Sequence, residues 1–107
     1  MNKPYHPATI DLQHVLYALA DPSRLRLVQE LVKETEIAST GFSSVQAARG
    51  TIAFHLKILR LAGLTRTRIG GNRRLISLRR DQVDACFPGL LDSILSGSTP
   101  ANQGGRA

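Results

Sequence analysis

Nine basic residues and no carboxylate stand between Arg49 and Arg80: Arg49, Lys57, Arg60, Arg66, Arg68, Arg73, Arg74, Arg79 and Arg80. Guanidinium and ammonium groups at this density do one kind of chemistry well. They bind phosphate, arginine through a pre-organised fork of N–H donors and lysine as a point charge. The acids lie elsewhere, with Asp11, Asp21, Glu30, Glu34 and Glu36 before this stretch and Asp81, Asp84 and Asp92 after it. A segregated basic block marks a polyanion partner, although a charge run also serves as a solvated face. The other chemistries lack their residues. No nucleophile stands beside a base, no adjacent carboxylate pair occurs, and Gly70-Gly71 precedes a strand and so makes no phosphate loop. The chain does not read as an enzyme.

The elements that must carry the block are legible from periodicity. Thr51 to Leu61 places Ile52, Leu56 and Leu59 on one helical face, with Ile58 and Leu61 flanking it. Gly63 follows as a left-handed cap, with Leu64 making the contact that accompanies it, so a helix is expected over 49–62. The period then changes to two. Thr65 to Ile69 alternates, Gly70-Gly71-Asn72 supplies a turn, and Arg73 to Leu78 returns, which makes a two-stranded hairpin over 65–78. Arg66 and Arg68 project from one face of its first strand.

Upstream, Leu12, Val15, Leu16 and Leu19 define a first helix. Asp21-Pro22 caps and opens a second, with Leu25, Val28, Leu31 and Val32 as its apolar stripe, running to about Glu34. Phe42 to Gln46 reads as a short helix followed by a turn over 47–50. Downstream, a helical segment begins near Asp81, Pro88 interrupts it, and Leu90, Leu91, Ile94 and Leu95 form a further apolar cluster too large for a free surface. The organisation expected is an arm over 1–8, one domain over 9–96 and a Gly/Ser/Pro-rich disordered tail over 97–107.

At 107 residues with net charge +6, the chain suits one small domain, for which a core shared in a dimer is a natural remedy. A lone cysteine, Cys86, excludes an internal disulfide. No apolar run is long enough to span a bilayer, and the N-terminus lacks an apolar signal core, so a cytoplasmic protein is expected without a membrane partner.

A short helix, a turn, a second helix and a hairpin make a winged helix-turn-helix, whose second helix enters the major groove of duplex DNA while the wing reaches the adjacent groove or backbone. The fold class expected is therefore mainly α (α+β), with about five to six helices and one two-stranded wing. The DNA-contact candidates are Arg49, Thr51, Phe54, His55, Lys57, Arg60, Arg66, Arg68, Arg73 and Arg74. Phe54 is open to a second reading, packing under the wing, and His55 to one as a partly buried helix residue.

The segments "LADPSRLRLVQEL", "TIAFHLKILRLAGLTRTRIGGNRRLISL" and "FPGLLDSIL" resemble the ArsR/SmtB (arsenic-repressor) family of winged-helix regulators over roughly residues 12 to 95. The resemblance implies a homodimeric bacterial repressor that binds a near-palindromic operator and pairs through its first and last helices. On that basis Leu12, Val15, Leu16, Leu90, Leu91, Ile94 and Leu95 are the interface candidates. In the family a ligand, a metal or a redox event weakens DNA binding; here the effector is not identified. The thiolate sensors of the family carry cysteines in the second or third helix, and "EIASTGF" has none. The zinc site of its last helix uses histidines and acids, and "RRDQVDACFPGLLDSIL" has no histidine. A branch without the usual metal ligands is implied, with no metal or cofactor expected; His14 with Asp84 or Asp92 across a dimer is the one zinc alternative. Cys86 is either a redox switch at the interface or a small apolar side chain at a helix boundary. Ala48, Gly50, Ala53 and Phe54 depart from the hydroxyl-rich opening usual in the recognition helix of the family. This keeps an alternative open: a winged helix that binds a protein partner, or binds DNA without reading its sequence.

Overall fold

The computed structural model describes residues 10–97. The arm expected over 1–8, and all of the expected tail beyond Gly97, lie outside the described residues. Five helices and three strands follow in the order α1 (Leu12–Leu19), α2 (Pro22–Lys33), β1 (Ile37–Ala38), α3 (Arg49–Leu61), β2 (Thr65–Gly70), β3 (Arg73–Leu78), α4 (Arg80–Cys86) and α5 (Leu90–Gly97). The strands form one antiparallel sheet in the order β1-β3-β2.

The helix starts follow from side-chain chemistry. Asp11 accepts from the backbone N–H of Gln13 at 2.8 Å, and Asp21 accepts from that of Arg24 at 3.1 Å, with Pro22 opening α2. That backbone hydrogen bond holds the Asp21 carboxyl below the usual carboxylate range, reinforced by the charge of Arg24.

The expected helix over 42–46 is absent. Glu30 of α2 explains why. Its carboxylate accepts from the backbone N–H groups of Ser43 and Ser44 at 3.0 Å each, and from Ser43 Oγ at 3.1 Å. Ser44 Oγ also donates to the Arg26 carbonyl at 3.3 Å. The two serines therefore spend their hydrogen bonds on α2 rather than on a local helix. Burial pushes the Glu30 carboxyl up, but the bonds from Ser43 and Ser44 outweigh it and hold it below the ordinary value.

The wing is also larger than two strands. β1 adds to the outer side of β3, with Ile37 opposite Ile76 and Ala38 opposite Leu75. Between β2 and β3, Gly70 pairs with Arg73, leaving Gly71 and Asn72 as a two-residue turn. Gly71 alone of the pair has positive φ, at 65°, the arrangement of a type II′ turn.

The core is aliphatic. Val15, Leu27, Val28, Leu59, Leu64, Val83 and Leu91 are each 0% exposed. In α2 the inner stripe is rotated from the expected one: Leu27 is buried and Val32 is 46% exposed. Arg24 falls on that inner stripe.

Between α3 and β2 the chain reverses through a complete Schellman motif. Leu64 N–H donates to the Leu59 carbonyl and Gly63 N–H to that of Arg60, each at 3.0 Å, with Gly63 at φ 86°. A Cβ at Gly63 would sit 2.9 Å from Ile10 Cγ1. Gly63→Ala is therefore expected to cost about 1–2 kcal/mol from the left-handed backbone alone, read as a lowered urea midpoint at unchanged slope. An unchanged midpoint would contradict this account of the reversal that sets the wing against α3.

Candidate nucleic-acid interface

α3 and the hairpin place the basic block on the surface. The inner line of α3, with Leu56 and Leu59 buried and Ile52 half-buried, anchors it to the core. The opposite line is exposed and carries Arg49, Thr51, Phe54, Lys57 and Arg60. Phe54 is 54% exposed, which sets aside its packing under the wing. Ala48 caps α3 without a side-chain hydrogen bond, and no acidic residue stands in the first turn. The field at that end favours anions.

Strand alternation sorts the wing arginines. Arg66, Arg68 and Gly70 share one face of β2, and their cross-strand partners Ser77, Leu75 and Arg73 share it on β3. Thr65, Thr67 and Ile69 take the other face, opposite Leu78, Ile76 and Arg74. This second face meets α3: Thr67, Arg74 and Ile76 line a groove with Ala53, Leu56, Lys57 and Arg60. Ser39 and Ala53 also line the adjoining depression toward Phe42, Val45 and Arg49. One trough therefore runs along α3 with Arg49 toward one end and Lys57, Arg60 and Arg74 toward the other.

Arg66, Arg68 and Arg73 lie on the far face of the wing. There Arg68 is engaged: its Nε and Nη2 donate to Glu36 at 2.6 and 2.9 Å. This hydrogen bond holds the Glu36 carboxyl below, and the Arg68 guanidinium above, their ordinary values. Among the described residues, no carboxylate stands within ion-pair distance of Arg49, Lys57, Arg60, Arg66, Arg73 or Arg74. Arg79 and Arg80, counted in the block, leave this surface. Arg79 is 4% exposed, its guanidinium N–H directed at the Gly63 carbonyl, and burial pushes its pKa down. Arg80 donates to Asp84 at 3.2 Å and to Asp92, tying α4 to α5.

His55 is half-buried, and its Nδ1 lies 3.2 Å from the guanidinium of Arg24 of α2. No reading of the sequence foresaw this pair. The available signal was the helical spacing of Arg24, Val28 and Leu31, which puts a cation on a buried stripe.

The other candidates are placed as follows. Leu12 and Leu16 are 42% and 44% exposed on α1, whereas Val15 and Leu91 are wholly buried inside the single chain and offer no surface. Leu90, Ile94 and Leu95 are half-buried on α5. Cys86 is half-buried at the end of α4. His14 is exposed on α1, while Asp84 and Asp92 both accept from Arg80. Among the described residues no three His, Cys, Asp or Glu side chains gather as a metal site would need, and no helix is long and apolar enough to cross a membrane.

No protein-family model matches the chain. It is 34% identical over 83 residues to the uncharacterized HTH-type transcriptional regulator YceK of Bacillus subtilis, covering 75% of this chain and 82% of that protein. The crystal structure of NolR from Sinorhizobium fredii is similar at TM-score 0.62 and 28% identity, covering 88% of this chain and 98% of that one. A crystal structure of an ArsR family transcriptional regulator shares the fold at TM-score 0.64 and 20% identity, covering 82% and 97%.

Proposed function

The chain belongs to the ArsR family of helix-turn-helix transcriptional regulators, and from that premise we propose that it is a dimeric repressor that closes on an inverted-repeat operator. α3 enters the major groove and the wing follows the flanking phosphates. The observation that carries this reading is the trough lined by Arg49, Lys57, Arg60 and Arg74, exposed and clear of carboxylates. Phosphate contacts from such groups supply affinity and orientation, while base edges supply sequence. Thr51 and His55 are the polar groups for base edges, and the exposed ring of Phe54 suits a thymine methyl. Of the wing, Arg74 is the principal phosphate ligand. Arg66 and Arg73 take a second role at the far face, and Arg68 is held by Glu36.

Dimerisation is proposed through Leu12 and Leu16 of α1 with Leu90, Ile94 and Leu95 of α5. Two leucines exposed one helical turn apart on so small a domain support it. Leu12→Asp with Leu16→Asp is expected to halve the sedimenting mass while the far-ultraviolet dichroism stays unchanged. An unchanged mass would move the interface elsewhere.

A second reading, DNA binding without base readout, is favoured by one observation. Ala47, Ala48, Gly50 and Ala53 expose no side-chain donor or acceptor at the opening of α3. Fluorescence anisotropy with a mixed-sequence duplex at low salt tests what the two readings share. Saturable binding is expected, and its absence would refute both. As a regulator meeting chromosomal DNA, the protein is proposed to act in the cytoplasm.

A further inference from the structure

Arg24 is 6% exposed and takes no part in the DNA or dimer surfaces proposed above. Its Nε donates to the Ala18 carbonyl at 2.8 Å, where α1 ends, and its guanidinium carbon lies 5.2 Å from the centroid of the Tyr17 ring. Its backbone N–H is held by Asp21. With the stem and Nε fixed in this way, Nη1 stands 3.2 Å from Nδ1 of His55, thirty-one positions away on α3.

The chemistry of this pair admits one arrangement. A guanidinium has five N–H donors and no acceptor, and it does not deprotonate in a protein. Nδ1 must therefore accept. A neutral imidazole that accepts at Nδ1 carries its proton on Nε2. We infer that Arg24 is a positioning residue for DNA recognition: it locks His55 as the Nε2–H tautomer, so that α3 presents one hydrogen-bond donor at that position. The inference rests on α3 being the DNA-contacting helix. A lone donor matches a phosphate oxygen, a purine N7, guanine O6 or thymine O4, and it is mismatched to the amino groups of adenine and cytosine. The Phe54 ring, centroid 5.9 Å from that of His55 and tilted by 56°, flanks the imidazole.

Long-range proton–nitrogen correlation spectra of the free protein read the tautomer directly. His55 is expected to show a bare Nδ1 and a protonated Nε2, and Arg24→Met to release it to a mixture. A proton on Nδ1 in the parent overturns the lock. Binding to a duplex that the parent recognises reads its use. His55→Gln keeps an N–H near the place of Nε2 and should stay within about threefold of the parent, whereas His55→Asn should weaken binding about tenfold, the worth of one hydrogen bond to DNA. Arg24→Met should weaken it by about twofold in the parent, the factor by which a mixture of two tautomers dilutes the competent one, and no further in His55→Asn. If Arg24→Met does not fold, Arg24→Lys takes its place, since it keeps a donor within reach of Nδ1 and should retain most of the affinity. Equal effects of His55→Gln and His55→Asn, or strictly additive effects in the double variant, overturn the role of Arg24 in recognition. A parent that binds no duplex defeats the DNA reading itself, while the spectra of the free protein still report on the lock.

Discussion

Alanine at Lys57, Arg60 and Arg74 together is expected to weaken duplex binding by at least about a hundredfold near physiological salt and to flatten the slope of log affinity against log salt by about 2.7 for each bound subunit, about 5.4 for the dimer, at about 0.9 for each phosphate no longer neutralised. The three side chains line one groove between α3 and β3, all exposed and without a carboxylate partner among the described residues. None is buried, so the fold should not suffer. Arg68→Ala is the matching control. Its guanidinium is already bonded to Glu36 on the far face of the wing, so little affinity should change with it. If Arg68→Ala costs as much as the triple substitution, the division of the wing into two faces is wrong as an account of binding.

Leu91→Asp is expected to abolish folding. The sequence pattern placed Leu91 on the dimer interface, where a charge would separate two intact subunits. In the structure Leu91 is 0% exposed within the single chain and belongs to the core cluster that includes Val15, Leu27 and Val83. An unpaired carboxylate there costs more than a small domain can bear, given total stabilities of about 5–15 kcal/mol. The expected result is loss of the cooperative unfolding transition and of far-ultraviolet dichroism, in contrast to Leu12→Asp with Leu16→Asp. A folded monomeric Leu91→Asp protein would restore Leu91 to the interface.

These two cases show what the sequence could and could not carry. α1, α3, the reversal at Gly63 and the β2–β3 hairpin were legible because local signals agree: an apolar period, a cap and a turn residue at the required offsets. β1 was not legible. Two residues have no period, and Ile37 and Ala38 become a strand only because β3 offers them a partner. Nor was the loop around Ser43 and Ser44, whose conformation is set by a carboxylate thirteen and fourteen residues away. At the candidate interface, the basic character of the surface was readable from charge segregation alone. Which arginines face α3 was not, because that depends on the register that pairs Ile69 with Arg74 and Arg68 with Leu75. Apolar spacing on α1 likewise marks a stripe without saying which part of it the core of the same chain consumes, so Val15 and Leu16, adjacent in sequence, end up on opposite sides of that division. The Arg24–His55 pair joins two helices and has no local signature.

The most direct test of a symmetric, sequence-reading DNA binder is selection from a random pool of duplex DNA at about 150 mM salt, where exposed charges are screened within about 8 Å and nonspecific binding is weakened. Enrichment of an inverted repeat with half-sites about one helical turn, 10–10.5 base pairs, apart is the predicted result. A pool that emerges without any shared motif, bound by a protein whose affinity simply fades as salt rises, would contradict it.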